Sequence, residues 1–311
     1  MFIEQGIKSE NAFIKYIVGS LLVFLASSIG QLPLLLAIVV KTQVSDIHFP
    51  STTEDFMSVL DSNLTLFLML FSFAVALLVL FLIIKHYHGQ TILSVTTSRA
   101  KIDWKRISFS FSIWSVFTIV SVAVSYFFAP EDFEINFKPI PFVILLFISV
   151  LMIPIQTSTE EYVFRGYLMQ GFGNLSKNKW FPLVMTSVIF GVMHIMNPEV
   201  TKLGYIVMVF YIGTGFLLGI MTLMDEGMEL ALGFHAANNL IGAILVTSDW
   251  TAFQTHSLLK DISEPDAGLD IILPVVLIYP IVLFILAKKY QWTNWKEKLT
   301  GTLSESDSKV N

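Results

Sequence analysis

The sequence predicts an all-α fold, a polytopic membrane helical bundle of about eight transmembrane helices. Three observations lead there. The 311 residues are 54% hydrophobic and only 14% charged, against about 25% charged in an ordinary soluble domain. The apolar residues gather into eight runs, each approaching the roughly 20 residues that cross a ~30 Å hydrocarbon core. Lys and Arg cluster in alternate loops between those runs, the asymmetry that orients membrane helices.

The first run covers residues 13–40. It is too long for the apolar stretch of a signal peptide, about 7–15 residues, and reads as one spanning helix. The others cover residues 64–84, 107–128, 140–155, 180–196, 203–223, 230–246 and 271–287. Runs four, five and seven are short unless the polar residues at their ends lie inside the membrane. Lys85, Arg99, Lys101, Lys105 and Arg106 mark one side. Lys177, Lys179, Lys288, Lys289, Lys296 and Lys298 mark the same side, which the positive-inside rule makes cytoplasmic. The opposite loops are acidic, with Asp46, Asp55, Asp61, Glu131, Asp132, Glu134, Asp261, Glu264 and Asp266. Both termini are thereby cytoplasmic, in a membrane that the low-charge, Lys/Ile/Phe-rich composition suggests is bacterial. Asp225, Glu226 and Glu229 form an acidic turn on the inner side. Acidic residues count little in the rule, and Asp225 is expected to be solvated.

The chain divides into residues 1–138, three N-terminal spans with a basic cytoplasmic loop; 139–246, a core that carries most of the intramembrane polar residues; 247–299, an outer loop and the last span; and 300–311, a polar tail expected to be disordered. Residues 91–104 are expected along the inner interface with Trp104 at headgroup level, a plain basic loop being the alternative. There is no internal repeat and no separate soluble domain. The charges are confined to loops, and the expected partner is the lipid bilayer rather than a nucleic acid. With no cysteine, disulfides and thiolate metal sites are excluded; a metal would need His and carboxylate ligands.

The chemistry centres on Glu160-Glu161-Tyr162-Val163-Phe164-Arg165. A charge at mid-bilayer costs roughly 2.5–3.5 kcal/mol on insertion scales, so such groups persist where they have partners and a polar cavity. On a helix Glu161 and Arg165 are i and i+4 and can pair. Glu160 is rotated by about 100° and is left free for chemistry. His194 closes run five, and His235 opens run seven four residues before Asn239, on one helix face. Gly233 and Ala236 are small enough to admit a close neighbour. Singly, each polar residue reads as helix-to-helix glue, worth about 0.6 kcal/mol on average. Together, from three separate runs, a Glu, two His and an Asn suit water activation and oxyanion stabilisation. The His-Glu-x-x-His zinc helix, a Gly-x-Ser-Gly serine site and a Gly-x-Gly-Asp aspartyl site are all absent. Asn197-Pro198-Glu199 carries little without a zinc helix beside it.

Glu160-Glu161-x-x-x-Arg165, Phe190-x-x-x-His194 and His235-x-x-x-Asn239, in that order, resemble the CPBP intramembrane proteases. These include the Ras-converting type of CAAX prenyl endopeptidase and the bacterial Abi proteins. The resemblance covers about residues 139–246. It implies an intramembrane endopeptidase in which Glu160 activates water with His194 assisting, His235 and Asn239 steady the oxyanion, and Glu161 and Arg165 fill the remaining polar positions. It leaves the cofactor open: Glu160, His194 and His235 could hold Zn²⁺ with a position for water, or Glu160 could act without a metal. The implied substrate is a peptide or membrane protein, prenylated or bacteriocin-like. The alternative is a non-proteolytic membrane protein, a proton-coupled transporter or a scaffold, that uses the same rare intramembrane groups.

Overall fold

The computed structural model describes residues 1–7, 12–46 and 48–303. Run one is one candidate span, Phe13–Val44, interrupted at Gln31 into α1 (Phe13–Gly30) and α2 (Leu32–Val44). Pro33 has no N–H to return to residue 29, so the chain turns there before helix resumes. After α3 (Thr53–Ser58) comes α4 (Ser62–Leu82), capped by Asp61, whose carboxylate accepts from the Asn63 and Leu64 N–H groups. α5 (Ile92–Thr96) and α6 (Trp104–Phe128) begin on the capping side chains of Thr91 and Asp103. β1 (Phe133–Ile135) precedes α7 (Pro139–Glu161), which starts on a proline, where the missing N–H costs nothing.

The chain leaves α7 through wide, five-residue-bonded turns over Tyr162–Leu168 and becomes α8 (Met169–Ser176). Then follow α9 (Trp180–Val192), α10 (Pro198–Leu203), α11 (Val207–Asp225) and α12 (Glu229–Leu245). β2 (Val246–Thr247), β3 (Leu259–Asp261), α13 (Leu269–Leu273), α14 (Tyr279–Tyr290) and α15 (Trp295–Thr300) complete it. The three short strands form a sheet in the order β1-β3-β2, with Phe133 opposite Asp261. It ties two loops together at the end where α6 and α12 finish.

Among the described residues, six helical stretches are long and apolar enough to cross a membrane, as in an integral membrane protein. Runs five and seven fall short of that length, as α9 with 13 residues and α12 with 17. α12 is not a lipid-facing span. It is buried nearly all round and packs against α6, α7 and α11. Its closest approach is at Gly233, where an added Cβ would run into the Ile107 carbonyl of α6. Gly233→Ala is therefore expected to lower stability by about 1–3 kcal/mol through overpacking, read as a lower Tm in detergent.

The acidic turn corrects an expectation. Asp225 is not solvated: it is only 5% exposed, and Glu229 is fully buried. Arg99 reaches both, at 3.0 Å to Asp225 and 3.1 Å to Glu229. Arg106 also pairs with Asp225, and the Trp292 indole N–H donates to it at 3.2 Å. Glu226 accepts from the Phe2 N–H and pairs with Lys298. Buried charges persist when paired and hydrogen-bonded, and this knot gathers α15, the first residues and the 91–104 segment. That segment packs on protein, with Val95 buried, while Trp104 is 68% exposed. The tail is also packed in part: Leu303 is buried and its N–H donates to the Lys177 carbonyl at 2.8 Å. Residues 304–311 of the expected disordered tail lie outside the described residues.

His88, just past the span of α4, is buried with Nε2 2.8 Å from the Tyr167 hydroxyl. Burial, and secondarily the Lys15 charge, push its imidazole down to about 4. The folded ring stays neutral where the unfolded one takes a proton, so stability is full above about pH 6.5 and falls as pH drops from there toward 4. Unfolding midpoints at pH 7.5 and pH 5 should differ, and His88→Gln should reduce the difference.

Candidate active site

The end of α7 presents two adjacent i, i+4 pairs. Gln156 and Glu160 share one face: the Gln156 Nε2–H donates to Glu160 Oε1 at 2.8 Å. Glu161 and Arg165 share the next, and here the expected pair forms. Arg165 Nη1 donates to Glu161 Oε1 at 2.9 Å, and both side chains are 0% exposed. Burying each ion costs several kcal/mol, and the surroundings offset this. Arg165 Nη2 donates to the Gly215 carbonyl at 3.1 Å, and the guanidinium lies 4.4 Å from the Phe190 ring centre. Gly215 has to be glycine, because a Cβ would come within 2.6 Å of the Ser187 carbonyl on α9. The wide turns after Glu161 are a feature found often at functional sites.

His235, in the second turn of α12, sits between the two carboxylates. Its Nδ1 is 2.7 Å from Glu161 Oε1 and its Nε2 is 3.4 Å from Glu160 Oε2. A carboxylate paired with Arg only accepts, so His235 donates its Nδ1–H to Glu161. That fixes the ring and turns Nε2 toward Glu160. Asn239, one helical turn on, faces α7 too, and its Nδ2–H donates to Gln156 Oε1 at 3.1 Å. Glu160 is 14% exposed, with Oε2 buried.

His194 arrives differently. α9 stops at Val192, and His194 lies in the following turn. Its Nδ1 is 2.7 Å from the Phe190 carbonyl. A carbonyl only accepts, so Nδ1 carries the proton and Nε2 is the free nitrogen. The ring stacks on Tyr211 at 4.4 Å and 22°. Phe190 lies against both imidazoles, with ring centres 4.7 Å from His194 and 5.9 Å from His235. Among the described residues His194 makes no ion pair with Glu160. The structure thus brings Glu160, Glu161, Arg165, His235 and Asn239 into one hydrogen-bonded cluster, and Phe190, which lies against both imidazoles, links His194 to it.

Sequence reading missed Gln156 and Tyr211 and discounted Asn197 and Glu199. Gln156 was visible in principle, four residues before Glu160. Tyr211 comes from another run and leaves no local signal. Asn197 donates to the Tyr211 hydroxyl at 3.2 Å, and Glu199 accepts from the Ala252 N–H at 2.8 Å. Burial pushes the Glu199 carboxyl above its usual range, with that N–H acting against the shift. The Asn-Pro-Glu segment thus borders His194.

Among the described residues no three His, Asp or Glu side chains are grouped as metal ligands. Zn²⁺ needs its nitrogen and oxygen donors about 2.0–2.2 Å from one point. Glu160, His194 and His235 are not grouped in that way in this arrangement.

Residues 139–241 match the family model described as type II CAAX prenyl endopeptidase Rce1-like. The chain is 34% identical over 155 residues to Uncharacterized protein YyaK of Bacillus subtilis (strain 168). The aligned stretch is 50% of this chain and 52% of that protein, so the chain spans about half the length of this curated relative. No solved structure matches the chain. The family match covers the Glu160, Glu161, Arg165, His194, His235 and Asn239 positions and supports a CPBP-type intramembrane protease at family level. Over residues 139–241 the chain is thus similar to the Rce1-like type II CAAX prenyl endopeptidases, in agreement with its resemblance to the CPBP proteases.

Proposed function

We propose that the protein is an intramembrane endopeptidase that cleaves a peptide or membrane-anchored protein with a glutamate-activated water. The observation that supports this most is the His235 imidazole held between Glu160 and Glu161 in a buried cluster. Glu160 Oε2 takes a proton from water, and the hydroxide attacks the scissile carbonyl carbon. The oxyanion accepts from Asn239 and from His235 Nε2–H. Glu161 stabilises the imidazolium that this requires, as a triad carboxylate does for its histidine. The C–N bond then breaks as Glu160 returns the proton to the leaving amine, with His194 Nε2 assisting. No step is routed through a metal.

The residues near both ends of the described chain meet at one face, where Phe2 and Lys298 bind Glu226. We place that face in the cytoplasm of a bacterial cell, following the Lys and Arg distribution. The substrate class is a prenylated or bacteriocin-like peptide, or a membrane protein.

The test is cleavage of a membrane-anchored peptide reporter in proteoliposomes, beside an uptake assay under a pH gradient. Cleavage without uptake is the expected outcome, and cleavage is expected to persist in a strong zinc chelator. Uptake without cleavage would move the protein to the transporter class.

A further inference from the structure

A chain of four hydrogen bonds crosses from α6 through α12 to α7 and ends on Glu160. The Trp114 Nε1–H donates to Asn238 Oδ1 at 3.0 Å, and Asn238 Nδ2 donates to Asn239 Oδ1 at 3.0 Å. Asn239 Nδ2 donates to Gln156 Oε1 at 3.1 Å, and Gln156 Nε2 donates to Glu160 Oε1 at 2.8 Å. Which end of an amide is oxygen is settled by its network. Here one group settles all three amides. An indole N–H can only donate, so Asn238 must turn its oxygen to Trp114 and its NH₂ to Asn239. The same logic passes on to Gln156 and then to Glu160. Reversing any one amide would set N–H against N–H or oxygen against oxygen.

We infer that Trp114, Asn238 and Gln156 are positioning residues that, through Asn239, hold Glu160 Oε1 as a fixed acceptor and leave Oε2 as the atom that handles the proton. Oε1 receives an N–H and is committed. A proton carried by Glu160 therefore sits on Oε2, the atom 3.4 Å from His235 Nε2. The chain uses one of the two N–H bonds of Asn239, and the second remains for the substrate oxyanion. Trp114 is buried, so water does not compete for the head of the chain.

This inference rests on the endopeptidase reading, and its test separates the two. Gln156→Met and Gln156→Leu keep most of the bulk of the side chain and remove the donor to Glu160. Infrared difference spectra against Glu160→Gln isolate the Glu160 carboxyl bands without any need for activity. Both variants should lose roughly ten- to hundred-fold in kcat, the loss expected for one hydrogen bond to a charged group. KM should stay within about twofold, and the Glu160 bands should shift. Trp114→Phe, which preserves the ring, should shift the same bands with a several-fold loss in kcat, and it decides the matter if the Gln156 variants do not fold. A chain that merely glued helices together would change Tm and leave kcat and the Glu160 bands in place, and that result overturns the inference. Shifted bands in a protein that cleaves nothing would uphold the positioning and remove the endopeptidase reading.

Discussion

Glu160→Gln should lower kcat by about 10²–10⁴-fold, the usual contribution of a positioned general base, with little change in Tm. The amide is nearly isosteric. Its oxygen can still accept from Gln156, where Oε1 now sits at 2.8 Å. Its NH₂ would replace Oε2 opposite His235 Nε2, which can accept in the neutral ring. The network is thus preserved while the one group able to take a proton from water is lost. Initial rates in proteoliposomes and unfolding in detergent, on the same preparation, check both halves. A variant that loses activity only because it has unfolded would not count.

The second large effect is on stability. Arg165→Met should cost about 3–5 kcal/mol, the range seen when one member of a buried ion pair is removed. Glu161 would remain fully buried, with His235 as its one remaining partner among the described residues. The Gly215 carbonyl and the Phe190 face would lose their cation as well. Adding Glu161→Gln should recover part of the loss, because the stranded charge is then gone. Arg165→Lys should recover little, since a single ammonium cannot replace a fork that serves Glu161 and Gly215 at once. Thermal unfolding of the three variants gives the order expected: wild type, then the double variant, then the two single Arg165 variants. Equal midpoints for wild type and Arg165→Met would show that the pair is not what orders this part of the core.

The parts of the site that were legible in the sequence are those governed by helical spacing. Glu161 and Arg165 pair because they are four apart on one helix. His235 and Asn239, also four apart, both turn to α7, one to its carboxylates and the other to Gln156. Gly233 admits α6, as a small residue there should. What was not legible depends on distant partners. Asp225 looked isolated because Arg99 and Arg106, which neutralise it, lie 126 and 119 residues earlier. The 91–104 segment read as an interfacial stretch, or a plain loop, because the acidic turn that holds it is equally far along the chain. The three strands are too short to show an alternating pattern. The break in run one was encoded at Pro33 but hidden by unbroken hydropathy. The shortness of runs five and seven was visible. Its meaning, a polar helix end at His194 and a largely buried α12, needed the packing.

The most direct measurement is cleavage of a membrane-anchored peptide in H₂¹⁸O, with the new C-terminus weighed by mass spectrometry. The account predicts one ¹⁸O in that carboxylate for wild type, and no product above background for Glu160→Gln in a folded protein. Labelled product formed by Glu160→Gln at the wild-type rate would contradict it.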